Sequence, residues 1–184
     1  MIEIASRRRA RVNVQAEHPG AEILDVTSKG PEPWVQFSPF YPHGGIPVPF
    51  TPGDTAASVE GVWQALKVFE RADVDPAKLH VTAMKGIKRS VRSNGPVRGH
   101  RKGLRGDELL SYADARRLIY LPAYRWVLEE RVAGLVDEVR KLADGAGGVV
   151  LLDYTTNDDV GDESTPLSHA GLLRRWIEGT WPAG

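Results

Sequence analysis

Apolar positions recur at helical spacing over residues 55–71, TAASVEGVWQALKVFER. Val59, Val62, Trp63, Leu66 and Phe69 form a stripe at a period near 3.6, so this stretch predicts an amphipathic helix. Thr55 or Ser58 can cap its start, and it should stop near Asp73, with Asp75-Pro76 opening a turn. A second stripe, Leu128, Val132, Leu135, Val139 and Leu142, predicts the longest helix, over 122–143. Pro122 suits its first turn, and Gly145 should close it. Residues 107–118 predict a further helix, with Leu109, Leu110, Ala113 and Leu118 inward, and a last helix should run from Pro166 to about Glu178. The continuous apolar run Gly148–Tyr154, GVVLLDY, has strand length and predicts a central strand. Residues 2–5 and 10–15 predict short strands, the second from the alternation of Ala10, Val12 and Val14, and Ala21–Val26 another. The sum is one α+β domain over residues 1–184, mainly helical with a small β-sheet. Residues 1–33 would supply N-terminal strands and turns, and 34–179 the core, with helices 55–71 and 122–143 and the terminal helix around strand 148–154.

Two stretches break this regular pattern. Residues 34–52, WVQFSPFYPHGGIPVPFTP, carry five prolines and two glycines, which forbid a long element. They also hold Trp34, Phe37, Phe40, Tyr41 and Phe50, so the segment is either a packed loop finishing the core or an aromatic wall for a planar base. Residues 85–106, KGIKRSVRSNGPVRGHRKGLRG, hold eight Lys/Arg, one His and no acid. The glycines after Ser93 predict a loop for the second half. That loop is either solvated or an anion site, with His100, Arg101 and Lys102 as its tightest cluster. The spacing is neither a P-loop nor a dinucleotide fingerprint.

Composition narrows the classes. At 41% hydrophobic and 26% charged residues, the 184-residue chain is globular rather than disordered. Lys+Arg and Asp+Glu both number 24, so net charge argues for neither bulk nucleic-acid nor membrane binding. With no cysteine there can be no disulfide, thiolate metal site or thiol nucleophile. No run approaches a membrane span, and MIEIASRRRARVNV lacks the apolar core of a signal peptide, so a cytoplasmic protein is expected.

The candidate chemistry lies on the other face of helix 55–71. Glu60, Gln64 and Lys67 fall at i, i+4 and i+7, presenting a carboxylate, an amide and an amine in line. This is either an ordinary solvated face or a site wall. After strand 148–154, Asp153 leads into an acidic loop with Asn157, Asp158, Asp159, Asp162 and Glu163, and His169 starts the last helix. A loop leaving a buried strand is a frequent place for chemistry.

Ser58-Val-Glu-Gly-Val-Trp-Gln-Ala-Leu-Lys-Val-Phe69 resembles the signature helix of the NADAR (YbiA-like) N-glycosidases, with its Glu-x-x-x-Gln-Ala-x-Lys-x-Phe. The preceding Ser38-Pro39-Phe40-Tyr41-Pro42 is similar to the family's loop, and the order of loop and helix also matches. The family's acid followed by Trp-Gly-x-Gly is departed from here, since Asp158-Asp159-Val160-Gly161 lacks the tryptophan. The resemblance implies a NADAR-like fold and hydrolysis of the C–N bond between a phosphorylated ribose, such as ADP-ribose or a ribose phosphate, and a base or amine. Glu60, Lys67 and Asp159 would then be catalytic. Phe40, Tyr41, Gln64, His100, Arg101, Lys102, Asp153, Asn157 and His169 would bind substrate. The expected partner is a phosphorylated riboside or ADP-ribosylated nucleic acid, with no cofactor, metal or membrane. Two alternatives stand beside it. One is a nucleotide- or nucleic-acid-binding module using the basic loop 85–106. The other is a metal-dependent hydrolase using Asp153, Asp158, Asp159, Asp162 and His169.

Overall fold

The computed structural model describes residues 1–183. The fold is α+β. In chain order it opens with strand β1 (Ile2–Ser6), helix α1 (Arg11–Glu17), strand β2 (Glu22–Asp25) and a 3-10 turn at Trp34–Phe37. Strands β3 (Ile46–Pro47) and β4 (Thr55–Ala56), helix α2 (Val59–Leu66) and strand β5 (Lys67–Phe69) follow, then a 3-10 turn at Pro76–His80. Next come helix α3 (Val91–Asn94), strands β6 (Val97–Arg101) and β7 (Leu109–Leu110), helix α4 (Tyr112–Ala115) and a π-helical turn at Arg116–Tyr120. Helices α5 (Leu121–Glu130) and α6 (Ala133–Asp144), strand β8 (Val149–Asp153) and helix α7 (His169–Ile177) complete the chain. Contacts gather these elements into two compact units, Met1–Ser38 with Leu128–Ala183, and Pro39–Val127.

The first unit is built on a three-stranded parallel sheet in the order β1-β8-β2. Strand β8 is central and every residue in it is buried, as its uninterrupted apolar run requires. Val14 of α1 joins Ala5, Ala21, Ile23, Val150 and Leu152 in one core cluster, while α7 packs on β1 and β8. The strand expected at 10–15 is a helix instead. Because β1 and β2 both run parallel to β8, the chain between them must cross back, and a helix makes that return. Val12 is accordingly 72% exposed while Val14 is fully buried.

The helix expected over 122–143 is two helices, interrupted at Arg131–Val132, where Val132 takes φ −124°, ψ 20°. The break shifts the helical phase. Val136 and Ala143 are buried where Leu135 and Leu142 were expected, and those leucines are half-buried. Gly145 does close α6, its N–H meeting the Leu142 carbonyl, although in an extended rather than left-handed conformation.

The second unit holds α2 and the antiparallel sheet β5-β6-β7. Ser58 caps α2, its Oγ accepting the Gly61 N–H at 3.0 Å. Gly61 is needed for packing: a Cβ there would lie 2.9 Å from the Lys78 carbonyl oxygen and 3.1 Å from Ser58 Oγ. Helix α2 ends at Leu66, short of the expected Arg71. Its last carbonyls are taken from outside, Ala65 by the Asp75 N–H at 2.8 Å and Gln64 by the Arg89 guanidinium at 3.3 Å. Arg89 also binds the Lys67 carbonyl at 2.6 Å, and Lys67–Phe69 pairs with β6. The expected loop after Ser93 is therefore strand β6 in its middle. Gly99 permits the ladder there, since a Cβ would sit 2.4 Å from the Leu110 carbonyl oxygen. The helix expected over 107–118 is strand β7 followed by α4, because Leu109 and Leu110 complete the sheet and Ser111 then caps the new helix. Leu109, expected inward, is 43% exposed.

Replacing Gly61 with Ala should lower the unfolding free energy by about 1–3 kcal/mol, because the turn carrying Lys78 must move off α2. Urea denaturation checks this, and an unchanged midpoint would show that the turn yields freely.

Candidate functional site

Eight of the expected site residues, Phe40, Tyr41, Glu60, Gln64, Lys67, His100, Arg101 and Lys102, belong to the unit Pro39–Val127. Glu60 sits in the first turn of α2, and its N–H donates to the Pro39 carbonyl at 2.8 Å, which docks the Pro39-Phe40 loop on the helix start. Its carboxylate is almost wholly buried, at 8% exposure. Oε1 accepts a hydrogen bond from Gln64 Nε2 at 2.9 Å. The Gln64 oxygen in turn accepts the Arg89 N–H at 3.0 Å, so the amide is held by two partners and orients the carboxyl. Lys67 does not continue the helix face as expected. It reaches the site from β5, with Nζ 5.8 Å from the centre of the Trp63 ring.

Burial shapes the electrostatics. Desolvation raises the Glu60 pKa above the ordinary carboxylic value, against the opposing pull of Gln64, Lys88 and Lys67. Desolvation also lowers the Lys67 pKa, aided by Lys88 and Arg89 and opposed by Glu60. Each group is thus moved toward its neutral form while sensing the other's charge, and the two form no direct ion pair.

His100 lies directly opposite Lys67 on β6. It is 1% exposed, and its ring centre is 3.8 Å from that of Trp63. Neither ring nitrogen has a hydrogen-bond partner. Burial, with the Lys67 charge beside it, lowers its pKa to about 3, so the imidazole is neutral at pH 7. Trp63 also meets Tyr112 and Tyr120 edge-on, at 5.9 and 5.8 Å.

The basic stretch does not present a continuous cationic surface. Arg98 pairs with Glu70 at 3.2 Å, Arg101 with Asp73 at 3.0 Å, Lys102 with Glu108 at 2.8 Å and Arg105 with Asp54 at 2.8 Å. Arg89 is committed to carbonyls and stacks 4.8 Å from the Phe69 ring centre. Among the described residues Lys88 makes no ion pair, and its Nζ sits 5.2 Å from the centre of the Phe40 ring. An open groove of about 530 Å³ runs past Lys88, Arg89, Ser90 and Asp73. Tyr41 lies against His43, ring centres 4.7 Å apart. Trp63 and Lys88 were not among the expected site residues. Trp63 reads as part of the apolar stripe, and Lys88 is one cation among eight.

The remaining candidates belong to the other unit. Asp153, at the end of β8, accepts Ser168 Oγ at 2.8 Å and the Ala170 N–H at 3.3 Å, and lies 3.0 Å from His169 Nδ1. His169 Nε2 is 2.9 Å from the Val26 carbonyl oxygen. Both histidine nitrogens thus face acceptors. Burial opposes the charge, yet Asp153 and the Val26 carbonyl outweigh it and raise the His169 pKa, while burial's upward push on Asp153 is likewise outweighed and its pKa is lowered. This buried pair anchors the α7 N-terminus to the central strand. Asn157 binds the Asp162 and Thr165 carbonyls, Asp158 pairs with Arg174, and exposed Asp159 accepts the Gly161 N–H at 2.8 Å. These groups fold the acidic loop on itself. Among the described residues no three His, Cys, Asp or Glu side chains gather as metal ligands.

Residues 6–173 match DUF6939, a family of unknown function. The chain belongs to this family. No curated protein and no solved structure matches it. Among the described residues of this DUF6939 chain, no helix is long and apolar enough to cross a membrane.

The buried histidine sets a pH test. A folded-state pKa of about 3 against an ordinary 6.5 means the unfolded chain binds the proton more readily. The stability held above pH 6.5 is therefore lost as the pH falls toward 3. His100→Phe removes this dependence. Its unfolding free energy should gain on wild type by up to about 1.4 kcal/mol per pH unit across that window. Parallel denaturation curves at pH 7, 5.5 and 4 check it, and a constant difference would mean that His100 takes up its proton in the folded state.

Proposed function

We propose that this chain is an N-glycosidase that hydrolyses the C–N bond between a phosphorylated ribose and a base or amine. The observation that carries the reading is buried Glu60 with half-buried Lys67, an acid and an amine each moved toward neutrality, with Gln64 orienting the acid. Ribosyl transfer needs a nucleophile at C1′ and a proton for the leaving base. A neutral amine and a protonated carboxyl supply both.

In this mechanism the Lys67 lone pair bonds to C1′ as the C1′–N bond breaks and its electron pair leaves with the base. Glu60 delivers its proton to the departing nitrogen. The resulting carboxylate takes the surplus proton from the alkylated amine. Water then adds at C1′ and releases the lysine, so one water is consumed and the substrate's C–N bond becomes C–O. Lys88 offers a cation for phosphate beside the Phe40 ring, which offers a face for the base. The NADAR-like sequence of residues 58–69 supports the same chemistry, with ADP-ribosylated guanine in nucleic acid or a phosphorylated ribosylamino-pyrimidine as the substrate. A chain without cysteine suits the reducing cytoplasm, where we place it.

Chromatographic detection of released base from ADP-ribosylated guanine DNA and from phosphorylated ribosylamino-pyrimidines tests the reading. Wild type should release base, and Glu60→Gln and Lys67→Ala should each lose roughly 100-fold or more in rate while remaining folded. Release that survives both substitutions, or no release from either substrate, defeats it.

A further inference from the structure

A buried polar group without a partner is rare in a folded protein and calls for a ligand, a water or a function. His100 has two such atoms. Both ring nitrogens are covered and unbonded, in a residue 1% exposed. Replacing this ring with an apolar one of similar shape would remove the unsatisfied groups, so packing gives no reason for a histidine here.

Its surroundings restrict what it can bind. A phosphate or carboxylate would be held best by an imidazolium, but burial beside Lys67 keeps the ring neutral. A neutral imidazole offers one acceptor nitrogen and one N–H. It therefore suits an uncharged group that can both give and take a hydrogen bond, as a hydroxyl does.

Position then selects the hydroxyl. Lys67 and His100 are direct partners across β5 and β6, so their side chains leave the sheet side by side. On the glycosidase reading, on which this inference rests, Lys67 addresses C1′. A group beside it addresses the neighbouring carbon, which in a riboside carries the 2-hydroxyl. The half-buried Trp63 indole lies against His100, so the sugar reaches the imidazole by displacing that ring. We propose that His100 is the specificity-determining residue of this site, hydrogen-bonding the sugar 2-hydroxyl and restricting the enzyme to ribosides over 2-deoxyribosides.

Isothermal titration of wild type with ribose 5-phosphate and with 2-deoxyribose 5-phosphate tests this, alongside the base-release assay. Wild type should bind the ribo sugar about tenfold or more tightly. His100→Phe should bind both sugars equally, at the wild-type affinity for the deoxy sugar, with an undiminished melting temperature at pH 7. His100→Asn, which keeps an uncharged donor and acceptor, should recover part of the preference. It also carries the test if the Phe variant does not fold. A preference unchanged in the folded variants, or affinity for both sugars falling equally, overturns the His100 assignment and leaves the glycosidase reading standing. No binding of either sugar by a wild type that also releases no base overturns both.

Discussion

The carbonyl oxygens at the end of α2 have to be satisfied, and how they are satisfied decides the geometry of the whole site. Left alone, the apolar stripe that begins at Val59 would carry the helix on through Phe69. Arg89 and the Asp75 N–H take the carbonyls of Gln64 and Ala65 instead, and Arg89 holds the Lys67 carbonyl as well. The helix stops at Leu66 and Lys67 turns into a strand. That single change of direction moves the lysine off the Glu60 face and sets it opposite His100. The same arginine supplies the backbone N–H that fixes Gln64, which in turn fixes Glu60. One residue from the basic stretch, through its side chain and its backbone N–H, thus organises both halves of the constellation.

The electrostatic character of the constellation follows from its dryness. Coulombic attraction between Glu60 and Lys67 favours the charged forms, and desolvation favours the neutral ones. Desolvation prevails on both members. His100 extends the same rule, losing its charge to burial with the Lys67 cation adding to the effect. The outcome is a site in which the acid and the base are each pushed toward the uncharged form, beside a ring that is neutral at pH 7. In the other unit the balance runs the opposite way. His169 and Asp153 are as buried, but direct contact at 3.0 Å and a carbonyl on the far nitrogen keep the pair ionised. Proximity and hydrogen bonding, rather than burial alone, separate the charged pair in one unit from the groups pushed toward neutrality in the other.

Much of this was legible in the residues. Periodicity located α2, a last helix was expected where α7 lies, and the continuous apolar run of β8 announced a strand covered on both faces. The i, i+4 spacing of Glu60 and Gln64 correctly placed them together. The failures share a cause, namely that long-range contacts overrode local preference. The alternation of Ala10, Val12 and Val14 reads as a strand, but parallel pairing on β8 demands a crossover. Lys67 reads as helical until a guanidinium 22 residues away claims its carbonyl. Leu109 and Leu110 read as a helix face until β6 offers an edge. His100 was legible as a candidate only through its cationic neighbours, as part of an anion site. Its burial and neutrality depend on Trp63 and Lys67 folding over it, which no local pattern contains.

The carboxylates that pair with the basic stretch come from Asp54, Glu70, Asp73 and Glu108, all outside residues 85–106. Half of the stretch's cations are therefore paired non-locally. In the nascent or unfolded chain the same segment is a run of eight cations with no acid among them, the composition of a polyanion-binding tail. Folding pairs four of the eight, Arg98, Arg101, Lys102 and Arg105, with acids drawn from elsewhere in the chain, and so weakens the field of the segment. The chain thus passes from a concentrated cationic run when unfolded to a folded segment whose charge is half offset, without any change in its total charge.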